Sequence, residues 1–110
     1  MPEYKVPLRD MKFLIYEALD FPSHYKTLGL PGSDQIDNET IDAILGEMAK
    51  LAENVIAPLN RSGDEEGCKL ENGNVSTPKG FKEAYEQYIA GGWQGLSHPE
   101  EYGGQGMPMS

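Results

Sequence analysis

A long amphipathic stretch between residues 41 and 56 sets the strongest limit on the fold. Its apolar side chains recur every three or four residues, the spacing of one helical face: Ile41, Ile44, Leu45, Met48, Leu51, Ala52, Val55 and Ile56. Asp37 or Asn38 is suited to cap its first free amides, and Glu39 suits the positive end of the helix dipole. Pro58 should end the helix because proline lacks the amide proton. The stretch therefore predicts a helix that packs on another element.

An earlier segment shows the same spacing over a shorter length. Its apolar residues predict a short helix over about residues 9 to 19. Pro22 is expected to stop this helix, since proline disfavours helical geometry in the residue before it. Residues 23 to 36, which glycine and proline interrupt, are expected to be irregular.

A third helix has both of its ends marked in the sequence. Thr77 is expected to be its N-cap, Pro78 its first helical residue, and Gly91 or Gly92 its left-handed C-terminal residue. Its apolar face is predicted to consist of Phe81, Ala84, Tyr85, Tyr88 and Ile89. Two apolar residues beyond the helix are expected to fold back onto this face: Trp93 and Leu96.

A short β-hairpin is predicted between the second and third helices. Asn72-Gly73 suits a two-residue turn whose central residues need positive φ, with Leu70 and Val75 in the paired strands. Because a two-stranded ribbon is barely stable alone, we expect it to lean on the helices. The predicted fold class is all-α, a small domain of about three main helices with one short hairpin. We divide the chain into an N-terminal segment with a short helix (1–36) and a helical domain (37–110).

Charge and cysteine content exclude several classes of protein. The chain of 110 residues carries 18 acidic and 9 basic side chains, a formal net charge of -9. This charge repels phosphate backbones and anionic lipid, so we expect no nucleic-acid partner. No signal peptide opens the sequence, and no stretch approaches the roughly 20 apolar residues of a membrane span. A single cysteine, Cys68, allows no intrachain disulfide. We therefore expect a cytoplasmic protein.

Ser97 and His98 come nearest to a nucleophile with its base. Their segment almost matches the G-x-S-x-G turn of serine hydrolases, but Pro99 occupies the place of the last glycine. Neighbouring residues in a chain rarely face each other, and no strand is predicted ahead of Ser97. Roles in helix capping or in a loop are therefore favoured over catalysis.

Metal and nucleotide sites are also weakly supported. The acidic run at 64–66 lacks the alternating ligands of a calcium loop, which favours a solvated turn. His24 and His98 have no second histidine at the spacing of a zinc site. Cys68 could be reactive if exposed, but a small apolar plug beside the hairpin is favoured. The glycines within 103–106 fit no phosphate-binding motif. We predict no catalytic, cofactor-binding or metal-binding residue in this chain.

The order of several landmarks resembles the N-terminal helical domain of the acyl-CoA dehydrogenase family. In sequence order these landmarks are Ala57-Pro58-Leu59, Asp64, Gly67, Val75 to Pro78, Gly92-Trp93, Pro99, Glu100 and Tyr102 to Gly106. The opening PEYKVPLRDMKFLIYEALDF is similar to a short segment that one branch of the family carries at its N-terminus. In the family, Tyr102 to Gly106 corresponds to a mid-domain loop that leads into more helices. The resemblance therefore implies an incomplete N-terminal domain.

The same resemblance implies a parent flavoenzyme. Such an enzyme removes two hydrogens from the carbons beside an acyl-CoA thioester, with a glutamate as base and FAD as hydride acceptor. In the family the base and most FAD contacts come from other domains, so no catalytic residue carries over, and this chain alone should be inactive and bind no cofactor. The expected partners are the remaining domains and, in the parent, an acyl-CoA.

Apolar faces left uncovered by those domains should favour a homo-oligomer or exchanged helices. The alternative interpretation is a self-standing helical module that binds another protein.

Overall fold

The computed structural model describes residues 3–30 and 32–110, and most of them are helical. The α-helices are α1 (Leu8–Lys12), α2 (Phe21–Leu28), α3 (Asn38–Leu51), α4 (Ala57–Glu66) and α5 (Phe81–Ala90). A π-helical segment (Phe13–Ala18) continues α1. A second π-helical segment (Ala52–Ile56) joins α3 to α4, and the three together form one long helix. Strands β1 (Lys69–Glu71) and β2 (Asn74–Ser76) are antiparallel. Short 3₁₀ turns lie at Ser33–Gln35, Trp93–Gly95 and Glu100–Tyr102. The predicted class, all-α with one short hairpin, is confirmed.

The long helix does not end at Pro58, as the sequence had suggested. It continues to Glu66, with Pro58 in the first turn of α4. The π-helical segment just before it supplies the reason: the Ala57 amide donates to the Ala52 carbonyl, five residues back. This wider turn gives the proline ring room beside the preceding carbonyls, so the helix continues where a regular α-helix would kink. At its other end Asp37 is the N-cap, accepting the Thr40 amide at 2.8 Å.

The prediction that residues 23 to 36 are irregular is wrong for their first part. After α1 the chain turns at Asp20, which has a positive φ of 46°, and α2 begins at Phe21. Pro22 lies in the first turn of α2, where its missing amide proton would have no partner in any case. The proline therefore starts a helix rather than only ending one.

The predicted N-terminus of the third helix is also wrong. Helix α5 begins at Phe81 with Gly80 as its N-cap, at a φ of 91°, so neither Thr77 nor Pro78 has the expected role. A Cβ at Gly80 would lie 2.7 Å from the Leu59 side chain, so the turn into α5 lies tightly against α4. At the other end Gly92 has the left-handed conformation that the sequence predicts, with a φ of 74°.

The β-hairpin has the predicted register but not the predicted packing. Leu70 pairs with Val75, and Asn72 and Gly73 both have positive φ, as a two-residue turn requires. Leu70 and Val75 are 71% and 69% exposed, however, and every other strand residue is exposed too. The hairpin projects into solvent instead of leaning on the helices.

Polar contacts attach the N-terminal segment to the long helix. The Val6 amide donates to the Glu53 carboxylate at 2.8 Å, and the Tyr16 hydroxyl donates to the Asp42 carboxylate at 2.7 Å. The ammonium of Lys12 lies 3.4 Å from the same Asp42 oxygen. Burial and the hydrogen bond to Asp42 raise the pKa of Tyr16, so this hydroxyl stays protonated and remains a donor. Two carboxylates of the long helix thus hold the arm that precedes α2.

The core is small for a chain of this length. Among the described residues only Tyr25, Ile36 and Ala49 are buried hydrophobic side chains. The radius of gyration is 17.6 Å, whereas a compact domain of 110 residues has about 13 Å. No helix within the described residues has the length and apolar character needed to cross a membrane. Much of the apolar surface therefore has no cover from the chain itself.

Candidate functional site

A cleft of about 800 Å³ lies between the α2–α3 connection and the C-terminal segment. Its walls are mostly apolar, with contributions from Leu30, Ile36, Met107 and Met109. Glu100 and Glu101 supply its charged side chains. Neither carboxylate pairs with a lysine or arginine within the described part of the chain. The cleft is thus an apolar groove with acidic groups in its lining.

Backbone hydrogen bonds hold the loop that forms one wall of the cleft. Four amides of the loop donate back to the preceding turn, each at 2.9 to 3.0 Å: Gly104 to Pro99, Gln105 to Gly95, Gly106 to His98 and Met107 to Leu96. At Gly104 two backbone segments of the loop lie so close together that a Cβ would overlap the His98 carbonyl oxygen. Only glycine permits this approach. The glycine-rich segment is therefore a hydrogen-bonded turn that forms one wall of the cleft.

Helix α2, which the sequence did not predict, anchors the end of this wall. Tyr25 is buried, stacks on Phe21 with ring centroids 5.9 Å apart, and its hydroxyl lies 2.5 Å from the Ser110 hydroxyl. A hydrogen bond between residues far apart in the sequence therefore connects the segment after Gly106 to α2. The glycines and prolines of this part of the chain led us to expect irregular structure, so neither α2 nor the cleft was predicted. The glycine spacing of the loop was the one available signal of the cleft.

The structure places Ser97 in the lining of the cleft and His98 on the exposed surface of the loop. No hydrogen bond joins the two side chains in the described residues. Instead the His98 backbone is used in the loop, since its amide donates to Gly95 and its carbonyl accepts from Gly106. A nucleophile and base in contact, which hydrolysis would require, are not formed here.

The acidic run at 64–66 forms the last turn of α4 and not the solvated turn that the sequence favoured. Glu65 accepts from the Arg61 guanidinium at 2.8 Å, and Glu66 accepts the Lys79 amide at 3.0 Å. These carboxylates hold local structure, and no group of three or more His, Cys, Asp or Glu with metal-binding geometry occurs in the described residues. Cys68 is exposed, so the predicted apolar plug is wrong.

Comparisons with known proteins place these features in context. No protein-family model matches the chain. The chain is 41% identical over 105 residues to a 3-methylmercaptopropionyl-CoA dehydrogenase of Ruegeria pomeroyi. This alignment covers 96% of the chain and 17% of that protein. The chain is a homologue of the acyl-CoA dehydrogenases. The resemblance predicted from its landmark residues is confirmed.

Two further relatives extend this homology. The acyl-CoA dehydrogenase homologue is 34% identical over 93 residues to a butyryl-CoA dehydrogenase of Syntrophomonas wolfei, covering 81% of the chain and 15% of that protein. It is 28% identical over 112 residues to a broad-specificity linear acyl-CoA dehydrogenase of Mycobacterium tuberculosis, covering 100% of the chain and 18% of that protein. The chain therefore spans less than a fifth of the length of the relatives it matches.

Proposed function

We propose that this chain is the N-terminal helical part of an FAD-dependent acyl-CoA dehydrogenase that desaturates an acyl-CoA thioester between its α and β carbons. The observation that carries the proposal is the 41% identity to one such dehydrogenase across 96% of the chain. That match covers 17% of the relative, which supports assigning the reaction to the whole parent enzyme rather than to these 110 residues.

The charges of the described residues argue against a flavin site in this chain. The diphosphate of FAD needs cationic groups or convergent backbone amides, whereas the charged groups lining the cleft are Glu100 and Glu101. The chain as a whole carries a net charge of -9, which also opposes an anionic cofactor. In this proposal the flavin site and the catalytic base lie in other domains, and the chain alone is inactive.

The role of the chain is then a structural one. The small core, the radius of gyration of 17.6 Å and the apolar cleft are what a partial domain leaves when its neighbours are absent. We propose that residues 37–110 pack against the remaining domains of the parent. Within the N-terminal segment (1–36), the arm that precedes α2 is attached to the long helix through Val6 and Tyr16. The hydrogen-bonded loop around Gly104 provides a rigid wall for this packing.

Two further expectations belong to the same proposal. The exposed apolar faces should make the isolated chain self-associate as its concentration rises, as a homo-oligomer or through exchanged helices. The parent enzyme should be cytoplasmic. Analytical ultracentrifugation over a concentration series tests the first expectation, and fractionation of the source cells tests the second.

The proposal is tested by purifying the 110-residue chain and incubating it with FAD, an acyl-CoA and a redox dye. We expect no visible flavin absorbance after gel filtration and no reduction of the dye. Retained flavin or acyl-CoA-dependent reduction would overturn the assignment of the cofactor and the base to other domains. A native species of 110 residues that captures a protein partner would instead support a self-standing interaction module.

A further inference from the structure

The turn of the hairpin contains the only Asn-Gly pair in the sequence, Asn72-Gly73. Asparagine followed by glycine is chemically special because glycine has no side chain to hinder its amide nitrogen. When that nitrogen reaches the carbonyl carbon of the preceding asparagine side chain, a five-membered ring can close. The chemistry depends on whether the structure leaves both groups free.

Both reacting groups are free in this structure. Asn72 and Gly73 are exposed, and a Cβ built on Gly73 meets no atom within 4 Å. Neither the Asn72 side chain nor the Gly73 amide has a hydrogen-bond partner among the described residues. No neighbouring group would have to be displaced for the two to meet.

The closed turn, in which Asn72 has a left-handed φ of 50°, still has to open before the ring can form. The Gly73 nitrogen reaches the side-chain carbonyl carbon by rotation about ψ and χ1 of Asn72, and the turn limits the rotation about ψ. The hairpin offers little resistance to that rotation. Each strand has 3 residues, and all of them are exposed. A hairpin this short, without packing on a core, opens readily.

We propose that Asn72 is a site of spontaneous deamidation through a cyclic imide formed with Gly73. The Gly73 amide nitrogen attacks the side-chain carbonyl carbon of Asn72, a carbon–nitrogen bond forms, and the side-chain nitrogen leaves as ammonia with the proton of the Gly73 amide. Water then opens the imide at either carbonyl, which gives aspartate or isoaspartate. The balance requires only water, and the product carries one more negative charge.

The two products have different effects on the hairpin. Aspartate keeps the normal backbone and tolerates the left-handed conformation, so the pairing of Leu70 with Val75 is retained. Isoaspartate adds a methylene to the backbone at the turn, which displaces the two strands relative to each other. The modification therefore loosens the hairpin and leaves the helices unchanged.

Asn74 provides a matched control within the same hairpin. It is also exposed, but the β-branched Val75 follows it and hinders its amide nitrogen. Trypsin releases both asparagines in one peptide, Leu70 to Lys79. Incubation of the folded chain at mildly alkaline pH, followed by fragment-ion mass spectrometry of this peptide, compares the two sites directly.

We expect Asn72 to convert roughly tenfold or more faster than Asn74, since only its reacting nitrogen is unhindered. Isoaspartate should appear at Asn72 in an isoaspartyl methyltransferase assay. Equal rates at the two sites, or an Asn72 that stays unmodified while Asn74 converts, would overturn the proposal.

A Gly73→Ala variant distinguishes ring closure at the Gly73 nitrogen from a conversion of Asn72 that depends only on how often the hairpin opens. Alanine is strained at the φ of 78° found at Gly73, so this variant opens the hairpin more often. If ring closure at the glycine nitrogen is the reaction, conversion of Asn72 nevertheless slows, by about tenfold, because the new methyl group hinders attack. Faster conversion in this variant would contradict the proposed role of Gly73.

Discussion

Two glycines illustrate how differently one residue type is used in this chain. Gly104 allows the C-terminal loop to touch the His98 carbonyl, and a Cβ there would overlap that oxygen. Gly46 lies inside α3, and a Cβ there would meet no atom within 4 Å. The first glycine is required by a close approach of two backbone segments. The second only adds conformational entropy to the unfolded chain.

Alanine substitutions at these two glycines should therefore change stability in opposite directions. Gly104→Ala should lower the free energy of unfolding by about 1–3 kcal/mol, since the loop must move away from His98. Gly46→Ala should raise it by roughly 0.5–1 kcal/mol, through better helix propensity. Urea denaturation followed by circular dichroism measures both. A Gly104→Ala chain that is at least as stable as the original would show that the loop is not packed as described.

The N-cap of the long helix makes stability depend on pH. Hydrogen bonds from the Thr40 side chain and backbone amide hold the pKa of Asp37 below its ordinary value. A carboxyl whose pKa is lowered by folding stabilises the protein above its unfolded pKa, and this contribution is lost as the pH falls through the folded pKa. The loss is expected below about pH 4.

An Asp37→Asn variant tests this dependence, because asparagine is an equally good N-cap and does not titrate. The urea midpoint of the original chain should fall relative to that of the variant as the pH is lowered through the acidic range. A constant difference between the two proteins across this range would mean that Asp37 does not stabilise α3 as a carboxylate.

At the scale of elements, the sequence predicted the apolar stripe, the hairpin and the left-handed Gly92, because each depends on local spacing or on a required φ. It did not predict how prolines are used. Pro58 continues a helix because a π-helical segment precedes it, and Pro22 begins one because the chain turns at Asp20. Both outcomes depend on the backbone next to the proline, which residue type alone does not determine.

The same limit explains the candidate site. The glycines of the loop were visible in the sequence, but the contact of Tyr25 in α2 with Ser110, at the end of the segment that lines the cleft, was not. That contact joins residues 85 positions apart. Long-range pairing of this kind has no periodic signal, so the cleft could not be derived from the pattern.

The attachment of the N-terminal arm to α3 is testable through one hydroxyl. Tyr16→Phe keeps the ring and removes the donor to Asp42, so it should destabilise the chain by about 0.5–1.5 kcal/mol. Hydrogen exchange should speed up in α1 more than in α5. Tyr102→Phe is the matched control, since Tyr102 is 80% exposed and its hydroxyl makes no hydrogen bond in the described residues. Equal effects of the two substitutions would contradict the proposed attachment.

At the scale of the whole molecule, the chain has regular helices but little interior. Local structure is defined by the polar contacts of the arm, the hydrogen-bonded loop and the helix caps. The apolar cleft and most of the apolar faces of the helices remain exposed to solvent. Homology to acyl-CoA dehydrogenases several times its length supplies a physical reason, since the parent would provide the missing cover. The proposed function therefore requires the chain to be one part of a larger flavoenzyme.

The most direct test is the mass of the native protein in its source cells, detected with an antibody raised against these 110 residues. We expect a species several times larger than the 12.1 kDa of this chain, yellow when purified and able to reduce a dye in the presence of an acyl-CoA. A native species of 12.1 kDa without flavin would show that the chain is not part of such an enzyme.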